Sequence, residues 1–257
     1  MTKIPLNFAL YLSEMKIIAV IPARYAASRF PAKLMQDLGG VPVIVQTYRT
    51  VLATGLFEEV IIATDDNRIA QAIQQEGGQV FISQKEHNCG SDRIAEAVAN
   101  SNADIVVNVQ GDEPFIHRQS LVDLLEVYRH DTNKEIALTS LMCRVVQVEK
   151  IQNPNNVKVI VDQDNFALYF SRSPIPYCRD TAIEHIYHKH IGIYAFRREA
   201  LLAFSQSEMT PLEKAEKIEC IRYLEQGKKM KMVLTSHESI GIDTLEDLRQ
   251  AQENLNA

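Results

Sequence analysis

The sequence predicts an α/β fold, a mostly parallel sheet covered by helices with a smaller antiparallel lobe. Three observations predict it. Short apolar runs alternate with amphipathic segments from residue 16 to about 129, the signature of repeated βαβ units. Each of these apolar runs ends at a loop or turn signal, as buried parallel strands do. From about residue 136 extended runs follow one another with fewer helical segments between them.

Lys16–Ile21 (KIIAVI) is nearly all apolar and stops at Pro22, so it reads as a buried strand. Val43–Thr54 has apolar positions at helical spacing, with Gly55 as its stop. Glu59–Thr64 is a second strand, Asn67–Glu76 a helix ending at Gly77-Gly78, and Gln79–Ile82 a third strand. Ser91–Asn100 reads as a helix with Ser91 as N-cap. Asp104–Val109 is a fourth strand and Leu121–Arg129 another helix. In sheets of this kind ligands sit outside the carboxyl ends of the strands, so the loops at 22–33, 64–66 and 110–114 should share one crevice. Later, Ile136–Val145, Val157–Val161, Ala167–Ser171 and His190–Phe196 read as strands, with Asp162–Asn165 a turn. Leu212–Leu224 reads as one helix, Val233–Ile242 as extended and Leu245–Asn254 as a closing helix.

The chain of 257 residues carries 27 Lys and Arg against 33 Asp and Glu, a net charge of −6. A generally basic surface for nucleic acid is excluded, and an anionic ligand needs a local cluster of cations. Cys89, Cys143, Cys178 and Cys220 form no CxxC pair, which argues against a zinc knuckle or a disulfide framework and suits a reducing cytoplasm. Residues 1–14 hold a short apolar run with one Lys and no A-x-A-like cleavage site, so they read as an N-terminal tail rather than a signal peptide. No stretch reaches the roughly 20 apolar residues of a membrane span. Residues 15–257 read as a single domain.

The loop Pro22–Lys33 (PARYAASRFPAK) places Arg24, Arg29 and Lys33 among small residues and contains no acid. Following a strand, such a loop can turn backbone N–H groups and guanidinium forks toward phosphate oxygens. A solvated surface loop with ordinary ion pairs has the same charge spacing. Val107–Pro114 (VNVQGDEP) puts Asp112 after a strand and a glycine, a candidate carboxylate for Mg²⁺, while Glu113 reads as a structural acid. Thr244 and Asp247 are spaced as a capping box for the last helix. Glu213, Glu216 and Glu219 are spaced along one helix face, and a solvated acidic stripe accounts for them equally well. His188 and His190 share a strand face, but no third ligand at recognisable spacing makes a zinc site with His185.

Taken in order, these motifs resemble the sugar nucleotidyltransferases, most closely the 3-deoxy-manno-octulosonate cytidylyltransferases, from about residue 15 to 250. The resemblance implies a three-layer α/β/α Rossmann-like nucleotidyltransferase fold, with residues 15–135 mainly nucleotide-binding and 136–257 sugar-binding and dimer-forming. It makes Arg24, Lys33, Asp112 and Asp243 catalytic, with Asp112 and Asp243 (in GIDTLEDL) the Mg²⁺ carboxylates. Ala23, Arg24, Arg29, Lys33, Asp112 and, from the segment His87–Arg93, Ser91 and Arg93 would bind CTP. Gln110, Arg172, His190, Tyr194 and Glu219 would bind the acidic sugar. Ala32 replaces the family's common glycine, Cys89 a usual serine, Leu245 a frequent proline and Cys220 the glutamine after Glu219.

The reaction implied is CMP transfer from CTP to the anomeric hydroxyl of 3-deoxy-D-manno-octulosonate (Kdo), giving CMP-Kdo and pyrophosphate for lipopolysaccharide biosynthesis. The enzyme implied is a cytoplasmic homodimer with no nucleic-acid or membrane partner. Cys220 leaves open another acidic sugar, such as an 8-amino octulosonate or a sialic acid. A guanylyl- or uridylyltransferase and a non-catalytic nucleotide-binding module are the further alternatives.

Overall fold

The computed structural model describes residues 15–26, 30–87, 89–180, 185–237 and 241–255. The tail 1–14 and Arg29 lie outside the described residues. The chain forms two compact units, one from residues up to Gln119 together with the C-terminal segment, the other from Ser120 to residue 238.

In the first unit β1 (Ile17–Ala23) is buried along almost its whole length. The hairpin β2 (Asp37–Leu38) and β3 (Val41–Pro42) follows. It turns through Gly39-Gly40, both at positive φ, where side chains are strongly disfavoured. Then come α1 (Val43–Ala53), β4 (Glu59–Thr64), α2 (Asn67–Gln75), β5 (Gln79–Ile82), α3 (Gly90–Ala97) and β6 (Ile105–Asn108). All four long strands are parallel, in the order β6-β1-β4-β5. Connections leave β1 in one direction to β4 and β5 and return to β6 on its other side. That reversal at β1 is the topological switch point where ligands of open α/β sheets bind.

The second unit runs α4 (Arg118–His130, begun in the first unit), β7 (Ile136–Val145), α5 (Val148–Gln152), β8 (Lys158–Val161), β9 (Ala167–Ser171) and β10 (Tyr187–Arg197). It continues with α6 (Arg198–Ser205), α7 (Pro211–Glu216), α8 (Ile221–Glu225) and β11 (Lys229–Leu234). β10 pairs antiparallel with β7 and β8, β8 antiparallel with β9, and β11 parallel with β7. This is the antiparallel lobe. The last helix, α9 (Leu245–Leu255), returns to the first unit, where Gln252 donates to the Asp37 carbonyl at 3.0 Å.

Four local expectations are corrected. α3 begins at Gly90 with extended Cys89 as its N-cap, so Ser91 sits inside the first turn. The predicted helix Leu212–Leu224 is two helices broken at Lys217, which takes a left-handed conformation with φ 56°. Glu213 is not part of a solvated acidic stripe: it is buried and pairs with Arg222. Of the run Val233–Ile242, Val233 and Leu234 belong to a strand that starts at Lys229 and follows β7 from Ile136 to Met142, while residues 238–240 lie outside the described residues.

Candidate functional site

In the first unit the end of β1, the loop after β6 and the segment before α9 meet. Gly111 permits this approach, since a Cβ there would stand 3.2 Å from the Pro22 carbonyl oxygen and 3.1 Å from Ile44. Thr47 Oγ1 donates to the Gly111 carbonyl at 2.9 Å and Thr50 Oγ1 to that of Pro114 at 2.9 Å, so α1 pins the loop along its length. The Ile242 amide donates to the Asp112 carbonyl at 2.9 Å, tying together two segments 130 residues apart in sequence. Asp247 accepts from the Asp243 and Thr244 amides at 3.0 and 2.8 Å, and its own amide donates to Thr244 Oγ1 at 3.1 Å. The capping box thus also orients Asp243.

These constraints place Lys33, Asp112 and Asp243 together. The Lys33 ammonium hydrogen-bonds the Asp112 carboxylate and lies 2.8 Å from Asp243 Oδ1. Burial works against the charged lysine, but the two carboxylates outweigh it and hold its pKa above the ordinary value. Two carboxylates converging on one cation are the donor type that Mg²⁺ takes, with its remaining positions left to water and substrate phosphate. Among the described residues no cluster of three or more His, Cys, Asp or Glu is arranged to hold a metal, so a cation here would need oxygen ligands from the substrate.

A cavity of about 220 Å³ opens at the switch point, lined by Pro22, Ala23, Arg24, His87, Arg93 and Gln110 among others. Arg24 is exposed, while Arg93 is buried and donates to the Ala23 carbonyl at 3.2 Å and to Asp65 Oδ2 at 2.7 Å. The hydrogen bond from Arg93, aided by its charge, holds the Asp65 carboxyl below the usual range. Tyr25 packs beneath the Arg68 guanidinium at 3.3 Å, fixing the loop beside Arg24. Gln110 Nε2 lies 3.4 Å from Asn108 Oδ1, and Ser91 is buried.

A cytidylyltransferase family model matches residues 18–230. The chain belongs to the cytidylyltransferase family. A 3-deoxy-manno-octulosonate cytidylyltransferase of Christiangramia forsetii is 60% identical over 95% of this chain and 98% of its own length. One of Flavobacterium johnsoniae is 58% identical over 93% of this chain and 98% of its own. Among solved structures, a CMP:2-keto-3-deoxy-manno-octonic acid synthetase complexed with CTP is 37% identical, with a TM-score of 0.87 over 94% of this chain and 98% of that one.

The remaining residues implied for this cytidylyltransferase lie in the second unit. His190 is buried, its Nε2 2.9 Å from Ser140 Oγ and its ring 4.9 Å from that of Phe170. Burial pushes its pKa down to about 3, so the ring is neutral. Tyr194 is buried as well, its ring 5.5 Å from that of His190. Arg172 donates from Nε to the Glu216 carbonyl at 2.7 Å, and from its terminal nitrogens to Pro154 at 2.9 Å and Lys217 at 3.2 Å. Beneath it the buried Lys158 ammonium donates to the carbonyls of Asn153, Asn156 and Arg172. Glu219 falls in the short connection between α7 and α8.

Sequence reasoning passed over Asp65, which orients Arg93, and Lys158, which holds the backbone at Arg172. Asp65 carried a readable signal, an acid at the carboxyl end of a parallel strand. Lys158 carried none, since its neighbours in the chain look like an ordinary strand.

Proposed function

We propose that this cytidylyltransferase transfers CMP from CTP to the anomeric hydroxyl of Kdo, giving CMP-Kdo and pyrophosphate. The convergence of Lys33, Asp112 and Asp243, two residues along from Gln110 in the cavity wall, carries this reading. Similarity over nearly the whole chain to relatives that bear this activity in their names supports the sugar.

The sugar hydroxyl attacks the α-phosphorus in line. A new P–O bond forms, the bond to the α,β-bridging oxygen breaks, pyrophosphate leaves, and the hydroxyl proton passes to solvent. Such a transfer depends on positioning and on charge stabilisation. Arg24, Arg29 and Lys33 bind the triphosphate, and Arg93, held by Asp65, anchors the nucleoside end with Ala23 and Ser91. Asp112 and Asp243 would hold Mg²⁺, which when bound offsets phosphate charge and favours ionisation of the attacking hydroxyl. Lys33 already bridges these carboxylates, so they are gathered before nucleotide arrives. Gln110, Arg172, His190, Tyr194 and Glu219 serve the sugar, and the neutral His190 offers a hydrogen bond rather than a charge. We place the enzyme in the cytoplasm as a homodimer built through the second unit. Exposed Val146, Val148, Leu168 and Tyr177 there offer apolar surface to a second copy.

The test is product identification after incubation with CTP, Kdo and Mg²⁺. A phosphodiester-linked CMP-sugar with equimolar pyrophosphate is expected. Nucleotide binding without turnover, or hydrolysis of CTP without coupling, would contradict the proposal.

A further inference from the structure

The Lys33 ammonium stands between Asp112 and Asp243, hydrogen-bonded to the first carboxylate and 2.8 Å from Oδ1 of the second. Its side chain is 17% exposed, so salt and water screen these contacts weakly. The backbone beneath it is fixed. Lys33 opens a single 3-10 turn, Lys33–Met35, in which Leu34 is buried and the Met35 amide donates to the Ala32 carbonyl at 2.8 Å. A Cβ on Gly111 would stand 3.3 Å from the Leu34 side chain, so the turn packs against the loop that carries Asp112. What can move is the lysine side chain, a compact charge on a flexible four-carbon stem.

Two cations therefore compete for the same oxygens. A divalent ion approaching Asp112 and Asp243 meets a like charge already in contact with both. To bind alone it must expel the ammonium. The ammonium then gives up two charge-assisted hydrogen bonds, a costly loss for a group shielded from water. A triphosphate lowers that cost. Its oxygens give the ammonium a new counter-charge and give the metal its remaining ligands.

We propose that Lys33 is a place-holder for the metal, and that its transfer from the two carboxylates to the triphosphate makes metal binding depend on nucleotide binding. This rests on reading Asp112 and Asp243 as the metal carboxylates of a cytidylyltransferase. Metal and nucleotide are then coupled through one side chain, and each strengthens the binding of the other by the same factor, typically about 5–150-fold. The nucleotide-free protein keeps its carboxylates gathered yet binds a divalent ion weakly.

The experiment measures Mn²⁺ binding to the full chain without nucleotide, from the loss of the free ion's paramagnetic resonance signal. Mn²⁺ takes the same oxygen ligands as Mg²⁺. Lys33→Met, which keeps an unbranched stem and removes the charge, should bind Mn²⁺ at least about fivefold more tightly than wild type. Adding Asp112→Asn to that variant should remove the gain. A folded Lys33→Met that binds Mn²⁺ no more tightly than wild type overturns the proposal, and so does a gain that survives Asp112→Asn. If Lys33→Met does not fold, carbon-13 spectra of the Lys33 ε-methylene in the wild type decide. A signal moved by Mg²⁺ with CTP but not by the same Mg²⁺ alone supports the transfer, and one moved equally by Mg²⁺ alone overturns it. Turnover of CTP with Kdo by a wild type whose Lys33→Met variant gains no Mn²⁺ affinity sinks only the place-holder. The expected gain in a protein that releases no pyrophosphate from CTP supports the place-holder and sinks the cytidylyltransferase reading.

Discussion

Asp112 and Asp243 carry like charges to within hydrogen-bonding reach of one ammonium, and their joint contact with Lys33 is what keeps them there. Preorganised charge of this kind typically accounts for about 10²–10³ in turnover per group. Asp112→Asn and Asp243→Asn should each lower pyrophosphate release by at least that much while thermal unfolding stays near wild type. Near-normal release by both folded variants would refute their role. Beside them, Ala32 takes φ 55°, where a Cβ costs about 1–2 kcal/mol. The family's common glycine at this position is thereby explained, and Ala32→Gly should stabilise the protein by about 1 kcal/mol, measured by the denaturant midpoint. The motifs made Lys33, Asp112 and Asp243 legible in the sequence because each follows a strand or opens a helix. The orientation of His87 was not legible, because it depends on Ser83 and Glu96, which look like ordinary polar residues until the fold brings them together.

His190 makes a prediction about pH. Its folded pKa of about 3 lies below the ordinary value of 6.5, so the unfolded chain binds a proton that the folded chain does not. The stability is complete above pH 6.5 and is lost as pH falls toward 3, by up to about 1.4 kcal/mol per pH unit. His190→Gln should flatten urea-derived stability across that window. An unchanged slope would show that the ring titrates normally.

Among elements, the break between α7 and α8 was hidden from the sequence. Apolar spacing ran on through Leu224, so periodicity gave one helix. Side chains overrode it. Arg222 folds back onto Glu213 through two hydrogen bonds of 2.7 and 2.6 Å, both residues being almost wholly buried. It also donates to the carbonyls of Phe204 and Ser207 at 3.1 Å and lies over the Phe204 ring. Arg172 meanwhile caps the carbonyls of Glu216 and Lys217, satisfying groups a continued helix would have used. Removing one member of such a pair leaves a buried charge unmatched, so Glu213→Gln should cost about 3–5 kcal/mol in chemical denaturation. A loss under 1 kcal/mol would mean the pair does not hold the break.

At the scale of the molecule, the alternation of strands and helices before residue 130 was readable because each buried strand must be apolar and each covering helix amphipathic. The return of α9 to the first unit has no periodic signature, since any amphipathic helix would look the same wherever it docked. The opposite limit applies to the sugar. Apart from Gln110, its residues sit in the second unit, where Arg172 and His190 make hydrogen bonds within the protein, so their chemistry alone does not separate Kdo from its analogues. The most direct measurement is therefore pyrophosphate release with the four nucleoside triphosphates crossed against Kdo, its 8-amino analogue and a sialic acid. The account predicts that CTP with Kdo is fastest by roughly tenfold or more, in line with the discrimination available to hydrogen-bonding sites. A faster reaction with another nucleotide or another sugar, or no release from any pair, would contradict it.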